Sequence, residues 1–262
     1  MDQIAAGYRG VVPAGARCGG GLHGPLADRY HDVAPQVNFS ALYSSPTLLK
    51  QTLENDSPRL LGNSAACEER REQLGEPHIA PLTALVRDLR SERGPDVWIP
   101  DFDPWDGGVN AEILFLLEAP GGRAVSSGFI SRNNPDSTAK NFFELNREAG
   151  ISRHRTVTWN VVPWYIGTGK KIRGAKQSDV AEGVDALRRL LSLLPRLKAV
   201  VLLGRPAERS AELIRSLKPD VGIFISPHPS PLFVNNKPGN RDRILAVLHA
   251  VAVYLDDGHP AV

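Results

Sequence analysis

Apolar residues fall in short, dense runs through the second half of the chain. Four such runs, mostly of β-favouring residues, occupy residues 111–117, 156–162, 199–203 and 221–226. We interpret them as strands covered on both faces, because none shows the polar alternation of a strand with one face in water. Apolar positions at helical spacing separate and follow the runs, at residues 138–149, 178–194, 206–217 and 241–254. The pattern therefore predicts strands and helices in alternation.

Such alternation favours parallel strands joined by right-handed crossovers, with helices on both faces of the sheet. We therefore expect an α/β fold, a three-layer αβα domain around a central four-stranded parallel sheet. A further helix is predicted over residues 81–93, where Leu82, Leu85 and Leu89 share one side. The last helix, 241–254, is apolar nearly all round, so we expect it to be well buried.

The first 80 residues are the least regular part of the chain. A glycine run at 19–21 and scattered prolines interrupt any periodic pattern. One helix is predicted after Ser45, with Pro46 at its first helical position. We expect residues 1–80 to form a partly irregular extension packed on the core, and residues 81–262 to form the α/β domain.

The amino-acid composition does not alter the predicted fold. The 262 residues are 42% hydrophobic and 23% charged, which excludes wholesale disorder. Lys+Arg number 31 and Asp+Glu 29, a balance that leaves nucleic acid possible as a partner because the distribution of charge matters more than its sum. No apolar run reaches the roughly 18–20 residues needed to span a bilayer, and the N-terminus does not read as a secretory signal. We expect a cytoplasmic protein without a membrane partner.

Cysteine usage limits the cofactors that the chain can hold. Cys18 and Cys67 are the only two cysteines, too few for a disulfide framework or a four-cysteine iron–sulfur cluster. Neither has histidines at zinc-site spacing. A phosphate-cradling loop at residues 167–170 is also disfavoured, because Lys171 stands where that motif requires Ser or Thr. The expectation is therefore no metal and no cofactor.

Polar or glycine–proline clusters follow each predicted strand. They comprise residues 118–122, 160–164, 204–206 and 226–232. Ligands of open parallel sheets bind outside the carboxyl ends of the strands, so we expect these four clusters to meet at one rim and to carry the chemistry.

Two of these clusters, with one asparagine, carry a family resemblance. His228-Pro229-Ser230-Pro231-Leu232 follows the last strand, Glu118-Ala119-Pro120-Gly121 follows the first, and Asn160 follows the second. Together they resemble the motifs of the uracil-DNA glycosylase superfamily, over roughly residues 95–255. The resemblance implies a monofunctional DNA glycosylase, acting as a monomer, that flips uracil out of single- or double-stranded DNA and hydrolyses its N-glycosidic bond, leaving an abasic site.

The resemblance also implies roles in the base pocket. His228 would donate a hydrogen bond to O2 of the departing uracil, where negative charge develops. The amide of Asn160 would match N3–H and O4 with one acceptor and one donor. Phe129 would stack on the base, and backbone N–H groups at Ala119 and Gly121 would supplement the site.

Further residues are implied as DNA contacts. Leu232 takes the position of the apolar wedge that fills the space left by the flipped base. Arg205 takes the position of the phosphate-gripping loop, where a guanidinium suits phosphate. Ser230, Lys170 and Lys171 would contribute further contacts to the DNA.

One departure from the family pattern leaves the mechanism open. Relatives with a water-activating Asp or Asn carry it immediately before the motif proline, where this chain has Ala119. Glu118 is the nearest carboxylate and either activates water or braces the loop; Asp101, Asp103 and Asp136 are others. Two alternatives therefore stand beside uracil excision: a protein that binds uracil or abasic DNA with little catalysis, and a glycosylase for another deaminated or mismatched base.

One acidic segment and one basic segment are expected to take no part in the chemistry. Asp101, Asp103 and Asp106 stand among prolines and Gly107, which predicts a turn-rich approach to the first strand rather than a metal site. His154 and its arginine neighbours are expected to lie in a solvated loop.

Overall fold

The computed structural model describes residues 56–168 and 172–256. Cys18, the helix predicted after Ser45, and Lys170 and Lys171 lie outside these ranges. Within them, no helix is both long and apolar enough to cross a membrane.

Four strands form the sheet that the apolar runs predict. Within the described residues the strands are β1 Asp101–Phe102, β2 Ile113–Leu117, β3 Phe129–Ile130, β4 Thr156–Asn160, β5 Ala199–Leu203 and β6 Gly222–Ser226. The main sheet has the order β4-β2-β5-β6 and is parallel throughout, with Ile113 level with Thr156 on one side and Ala199 on the other. The predicted four-stranded parallel sheet is confirmed.

A second, two-stranded sheet pairs β1 with β3 in parallel. It has no counterpart in the predictions from sequence. Strands of two residues are too short to show a period of two, so the hydrophobic pattern does not reveal them.

Helices occupy both faces of the main sheet. In the described ranges they are α1 Ser64–Glu72, α2 Ala80–Arg93, α3 Gly122–Ser127, α4 Ser137–Glu148, α5 Gln177–Ser192, α6 Arg205–Glu208, α7 Ala211–Leu217, α8 Pro231–Val234 and α9 Asn240–Asp256. The segment predicted as one helix over 206–217 is thus divided into α6 and α7.

The pleat of β2 distributes its side chains between two apolar layers. Leu114 and Leu116 belong to the cluster formed with α2 and α5, whereas Ile113 and Phe115 belong to the cluster formed with α4 and α9. All four are fully buried, and burying side chains of this size stabilises the fold by about 1.5–3 kcal/mol each. Alternate residues of a strand point to opposite faces, so an uninterrupted apolar run satisfies both layers at once.

The last helix departs from expectation. In α9 the buried apolar residues, Ile244, Leu248, Val251 and Leu255, recur at helical spacing, while Val253 is 58% exposed. The helix therefore buries one stripe against the sheet and leaves the opposite face in solvent. The prediction that the last helix is well buried was wrong.

Part of the predicted N-terminal extension packs against the α/β domain. Leu61 and Cys67, from the segment around α1, form a small apolar cluster with Phe129 of β3. Arg70 of α1 makes a buried ion pair with Asp103 at 2.9 Å. The division of the chain at residue 80 stays a prediction.

Candidate active site

A cavity of about 750 Å³ opens at the carboxyl ends of β2, β4 and β6. Its wall combines the loop after β2, the end of β4, the start of α4 and the loop after β6. Among the lining residues are Glu118, Ala119, Gly121, Ile130, Ser131, Asn134, Asp136, Phe142, Thr158, Asn160, Arg173 and His228. Asn160 and His228 therefore face the same cavity, as the meeting of strand ends predicts.

Asn160 is placed by the pleat of β4. It is the last residue of the strand, and Thr158 lies on the same face two residues earlier. Only 4% of Asn160 is exposed, and its Nδ2 atom has no hydrogen-bond partner among the described residues. A buried amide without a partner costs stability, so this donor is available for a ligand in the cavity.

His228 lies two residues beyond the end of β6, between Pro227 and Pro229. Proline rings restrict the backbone on both sides of the histidine. The loop is also tied to α4, because Asn141 Nδ2 donates to the carbonyl of Pro229 at 3.0 Å. The side chain that the resemblance places against uracil O2 is therefore carried by a rigid loop.

Burial lowers the pKa of His228 below its ordinary value of 6.5, and the nearby negative charges of Glu118 and Asp136 only partly oppose this. The imidazole is consequently neutral at pH 7. A neutral imidazole carries one N–H donor and one bare nitrogen. The ring can thus donate a hydrogen bond without bringing a full positive charge into the cavity.

Glu118 is engaged by the loop that crosses the cavity. Its Oε1 atom accepts a hydrogen bond from the backbone N–H of Ala175 at 2.5 Å, and its own carbonyl accepts from Val162 N at 3.0 Å. Gly174 and Arg173, next to Ala175, also line the cavity. The side chain therefore braces this segment, one of the two roles that the sequence left open for it.

The other candidate carboxylates have structural partners. Asp136 caps α4, its Oδ1 accepting from Ala139 N at 2.9 Å, and lines the cavity. Asp101 pairs with Arg90 at 2.9 Å. Asp103 lies in a buried ion network behind the cavity.

That network overturns one expectation. Asp103 and Asp106 are both 1% exposed and face Arg153, which is 4% exposed, with contacts of 2.6 Å and 2.9 Å. The segment holding the two aspartates does approach β2 through turns, as the sequence predicts, but it buries both carboxylates. Arg153, the neighbour of His154, is not in a solvated loop, so that prediction was wrong. The reason is mutual: each buried charge is matched by a buried partner of opposite sign.

The same charges set the ionisation of the two aspartates. Burial raises the pKa of Asp103, but Arg153 and Arg70 outweigh it and leave the pKa below its ordinary value. For Asp106 burial prevails over the same kind of attraction and raises the pKa to about 6. Ser131, which lines the cavity, donates its hydroxyl to Asp103 Oδ2. The network thus supports one wall of the cavity from behind.

Comparison with known proteins decides the family. The family model described as the uracil DNA glycosylase superfamily matches residues 104–251. The chain belongs to this superfamily. Glu118, Ala119, Gly121, Asn160 and His228 all lie within the matched range. No curated protein matches the chain.

Two solved structures are similar to this chain. SMUG2 from Pedobacter heparinus is 12% identical, with a TM-score of 0.45 over 68% of this chain and 84% of that one. A candidate uracil DNA glycosylase from Methanosarcina acetivorans is 18% identical, with a TM-score of 0.37 over 55% of this chain and 92% of that one.

The aromatic side chain predicted from the superfamily pattern is not at the cavity. Phe129 is 1% exposed and packs with Leu61 and Cys67 in a separate apolar cluster, so the prediction that it stacks on the base was wrong. Phe142 of α4 lines the cavity instead, its ring edge against Phe115 at 4.9 Å between centroids. In the sequence, Phe142 is indistinguishable from a core position of an amphipathic helix.

Three of the residues predicted to contact DNA, Arg205, Ser230 and Leu232, lie outside the cavity wall. Leu232, in the short helix α8, is 87% exposed. Ser230 caps that helix, its Oγ accepting from Phe233 N at 3.4 Å. Arg205 is exposed at the first position of α6. Their roles on DNA stay predictions, as do those of Lys170 and Lys171.

Proposed function

We propose that this protein is a monofunctional DNA glycosylase that flips uracil out of DNA and hydrolyses its N-glycosidic bond, leaving an abasic site. One observation carries the proposal: Asn160 and His228, from the ends of two different strands, line one cavity. Membership of the uracil DNA glycosylase superfamily supports it.

The extruded base is read by Asn160. Nδ2, which has no partner among the described residues, donates to O4 of uracil, and Oδ1 accepts from N3–H. Cytosine carries the opposite pattern of donor and acceptor at these positions. The ring of Phe142 supplies an apolar surface beside the base, a role that replaces the one predicted for Phe129.

Bond cleavage is assisted at the leaving group. The bond between C1′ of the sugar and N1 of uracil breaks with its electron pair going to the base, and the negative charge spreads to O2. The N–H of the neutral His228 ring donates to that oxygen, an interaction worth several kcal/mol when it forms in the transition state. Water then adds to the electron-poor C1′ and releases a proton to solvent, and the uracil anion takes up a proton from solvent, which completes hydrolysis to the abasic sugar and free uracil.

Activation of water contributes less in this account. Ala119 offers no polar side chain at the position before the motif proline. Glu118 commits one oxygen to Ala175 N, so we assign it the positioning of the segment across the cavity rather than proton abstraction. If the glycosidic bond breaks before water attacks, leaving-group stabilisation by His228 sets the rate.

Three further side chains complete the DNA surface. Leu232 enters the base stack at the position that the flipped base has left. This requires little rearrangement of the protein, because Leu232 is already 87% exposed. Arg205 and Ser230 hold phosphates beside it. A single active site suffices for one lesion, so we propose that the protein acts as a monomer on single- or double-stranded uracil-containing DNA.

Ala119 also favours a second function, that of a protein which binds uracil or abasic DNA with little turnover. In that case the cavity would retain the base, and the missing polar side chain at this position would account for slow hydrolysis. Tight binding to uracil-containing DNA without base release at stoichiometric protein would identify it.

An oligonucleotide with one uracil tests the proposal. Purified protein should release uracil and leave alkali-labile sites, in single strands, duplexes or both. Strand breaks should appear only after alkali, because the enzyme is proposed to be monofunctional. Intact DNA in both forms would contradict the proposal, and substrates with hypoxanthine or mismatched thymine show whether another base is the target.

A further inference from the structure

The hydroxyl group of Thr158 is buried against the cavity without a hydrogen bond. Thr158 is 4% exposed and lines the cavity, and its Oγ1 atom has no partner among the described residues. It lies on the same face of β4 as Asn160, whose Nδ2 is also unpartnered. Two residues that line the cavity from alternate positions of one strand therefore each carry an unpartnered polar atom.

Thr156, two residues earlier on the same face of β4, has a hydroxyl group with hydrogen-bond partners. Thr156 Oγ1 donates to the carbonyl of Arg153 at 2.8 Å and accepts from Arg132 Nη2 at 2.6 Å. Thr156 does not line the cavity. The hydroxyl of the threonine outside the cavity wall is thus hydrogen-bonded, and that of the threonine in the wall is not.

Two other polar side chains of the wall are already engaged. Ser131 donates its hydroxyl to Asp103, and Asn134 accepts from Ser127 Oγ at 2.7 Å and donates to the carbonyl of Phe129 at 2.9 Å. Burying a hydroxyl without a partner destabilises a fold, and valine has nearly the same shape and suits a strand as well. A ligand in the cavity that hydrogen-bonds to the hydroxyl of Thr158 would supply its missing partner.

We propose that Thr158 is a second base-reading residue of this site. It hydrogen-bonds the extruded base from one step deeper along β4 than Asn160. Two residues of a strand are about 6.6–6.8 Å apart at their Cα atoms, so both side chains can approach one carbonyl oxygen from different directions. That oxygen is O4 of a 4-keto pyrimidine, which has a lone pair for each donor. The assignment rests on the proposed function, because it requires the base to enter this cavity.

Binding to a DNA that resists cleavage tests the contact directly. A 2′-fluoro substituent on the sugar disfavours the positively charged transition state, so oligonucleotides with 2′-fluoro-2′-deoxyuridine report binding alone. We expect Thr158→Val to raise the Kd for this DNA about 3- to 10-fold, the effect of one lost hydrogen bond. Thr158→Ser, which keeps the hydroxyl, should stay within about 2-fold of wild type.

Two controls separate base reading from structure. An oligonucleotide with 2-pyrimidinone on the same sugar lacks O4, so Thr158→Val should bind it as wild type does. The melting temperature of Thr158→Val should equal or exceed that of wild type, because an unpaired buried hydroxyl is removed. An unchanged Kd for the uracil analogue, an equal loss on both analogues, or a lower melting temperature would overturn the assignment.

These experiments also distinguish failure of the Thr158 assignment from failure of the proposed function. Suppose that wild type releases no uracil while Thr158→Val still weakens binding of the uracil analogue and not of the 2-pyrimidinone analogue. In that case the base contact stands and the excision proposal fails. If wild type excises uracil and Thr158→Val binds the analogue normally, excision stands and the assignment of Thr158 fails.

Discussion

Gly204 leaves space for His228 where β5 and β6 end. A Cβ atom added to Gly204 would lie 3.2 Å from Cβ of His228. Gly204 has φ +91°, a conformation that favours glycine, and its N–H donates to the carbonyl of Ser226 at 2.9 Å. A glycine at the end of one strand therefore allows the histidine loop of the next to approach closely.

Gly204→Ala should lower uracil excision by about 10-fold or more, because the new methyl group displaces His228 from its position in the cavity. Unfolding measurements should also show a loss of about 1–2 kcal/mol from the strained φ. Gly150→Ala is the matched control: Gly150 has φ +69° but nothing within 4 Å of the added Cβ. It should lose stability alone, and an equal loss of activity in both variants would refute the role assigned to the contact.

Asp103→Asn should destabilise the protein by about 3–5 kcal/mol, because Arg70 and Arg153 would lose the carboxylate that compensates them in a buried site. Denaturant unfolding measures the loss. Glu212→Gln is the control, since Glu212 pairs with Arg215 at the surface, where its side chain is 87% exposed. That change should cost no more than about 1 kcal/mol; a similar cost for both variants would argue against the buried network.

Leu232→Ala should slow excision from duplex DNA more than from single strands. Only the duplex has a stack to be filled once the base is extruded, so the wedge matters there. Rates on matched single- and double-stranded substrates give the comparison. Val253→Ala, at another exposed apolar side chain, should leave both rates unchanged; an equal effect of Leu232→Ala on both substrates would remove the wedge role.

Glu118→Gln should keep excision within about 3-fold of wild type, because the amide oxygen still accepts a hydrogen bond from Ala175 N. Glu118→Ala loses that bond and should be slower. Single-turnover rates for the two variants decide the matter. A Glu118→Gln enzyme as slow as the alanine variant would show that the charge of the carboxylate, and hence water activation, is required.

The main sheet was predictable because its strands are buried on both faces. Residues 199–203, for example, form an unbroken apolar run that only a covered strand accommodates, and β5 has these bounds. The burial of Arg153 was not predictable, because arginine is usually exposed and its partner Asp103 is 50 residues away in the chain. Nor does the sequence show which of Phe129 and Phe142 faces the cavity, since that depends on how α4 and β3 pack.

Some polar residues of the site could be predicted from the sequence, and one could not. Asn160 and His228 were identified from the family resemblance, and both lie at strand ends, where ligands of parallel sheets bind. Thr158 was missed, since a threonine inside an apolar run is typical of a strand and carries no mark of function. Its unpartnered hydroxyl becomes visible only once the surrounding hydrogen bonds are known.

The most direct test of the account is a comparison of single-turnover uracil release with DNA binding in His228→Ala. The account predicts a rate about 10²- to 10³-fold below wild type, the usual loss for one hydrogen-bond donor to a developing oxyanion, with the Kd for uracil-containing DNA changed less than about 3-fold. His249→Ala, at an exposed histidine of α9, should match wild type in both. A His228→Ala enzyme that releases uracil at the wild-type rate would contradict the account.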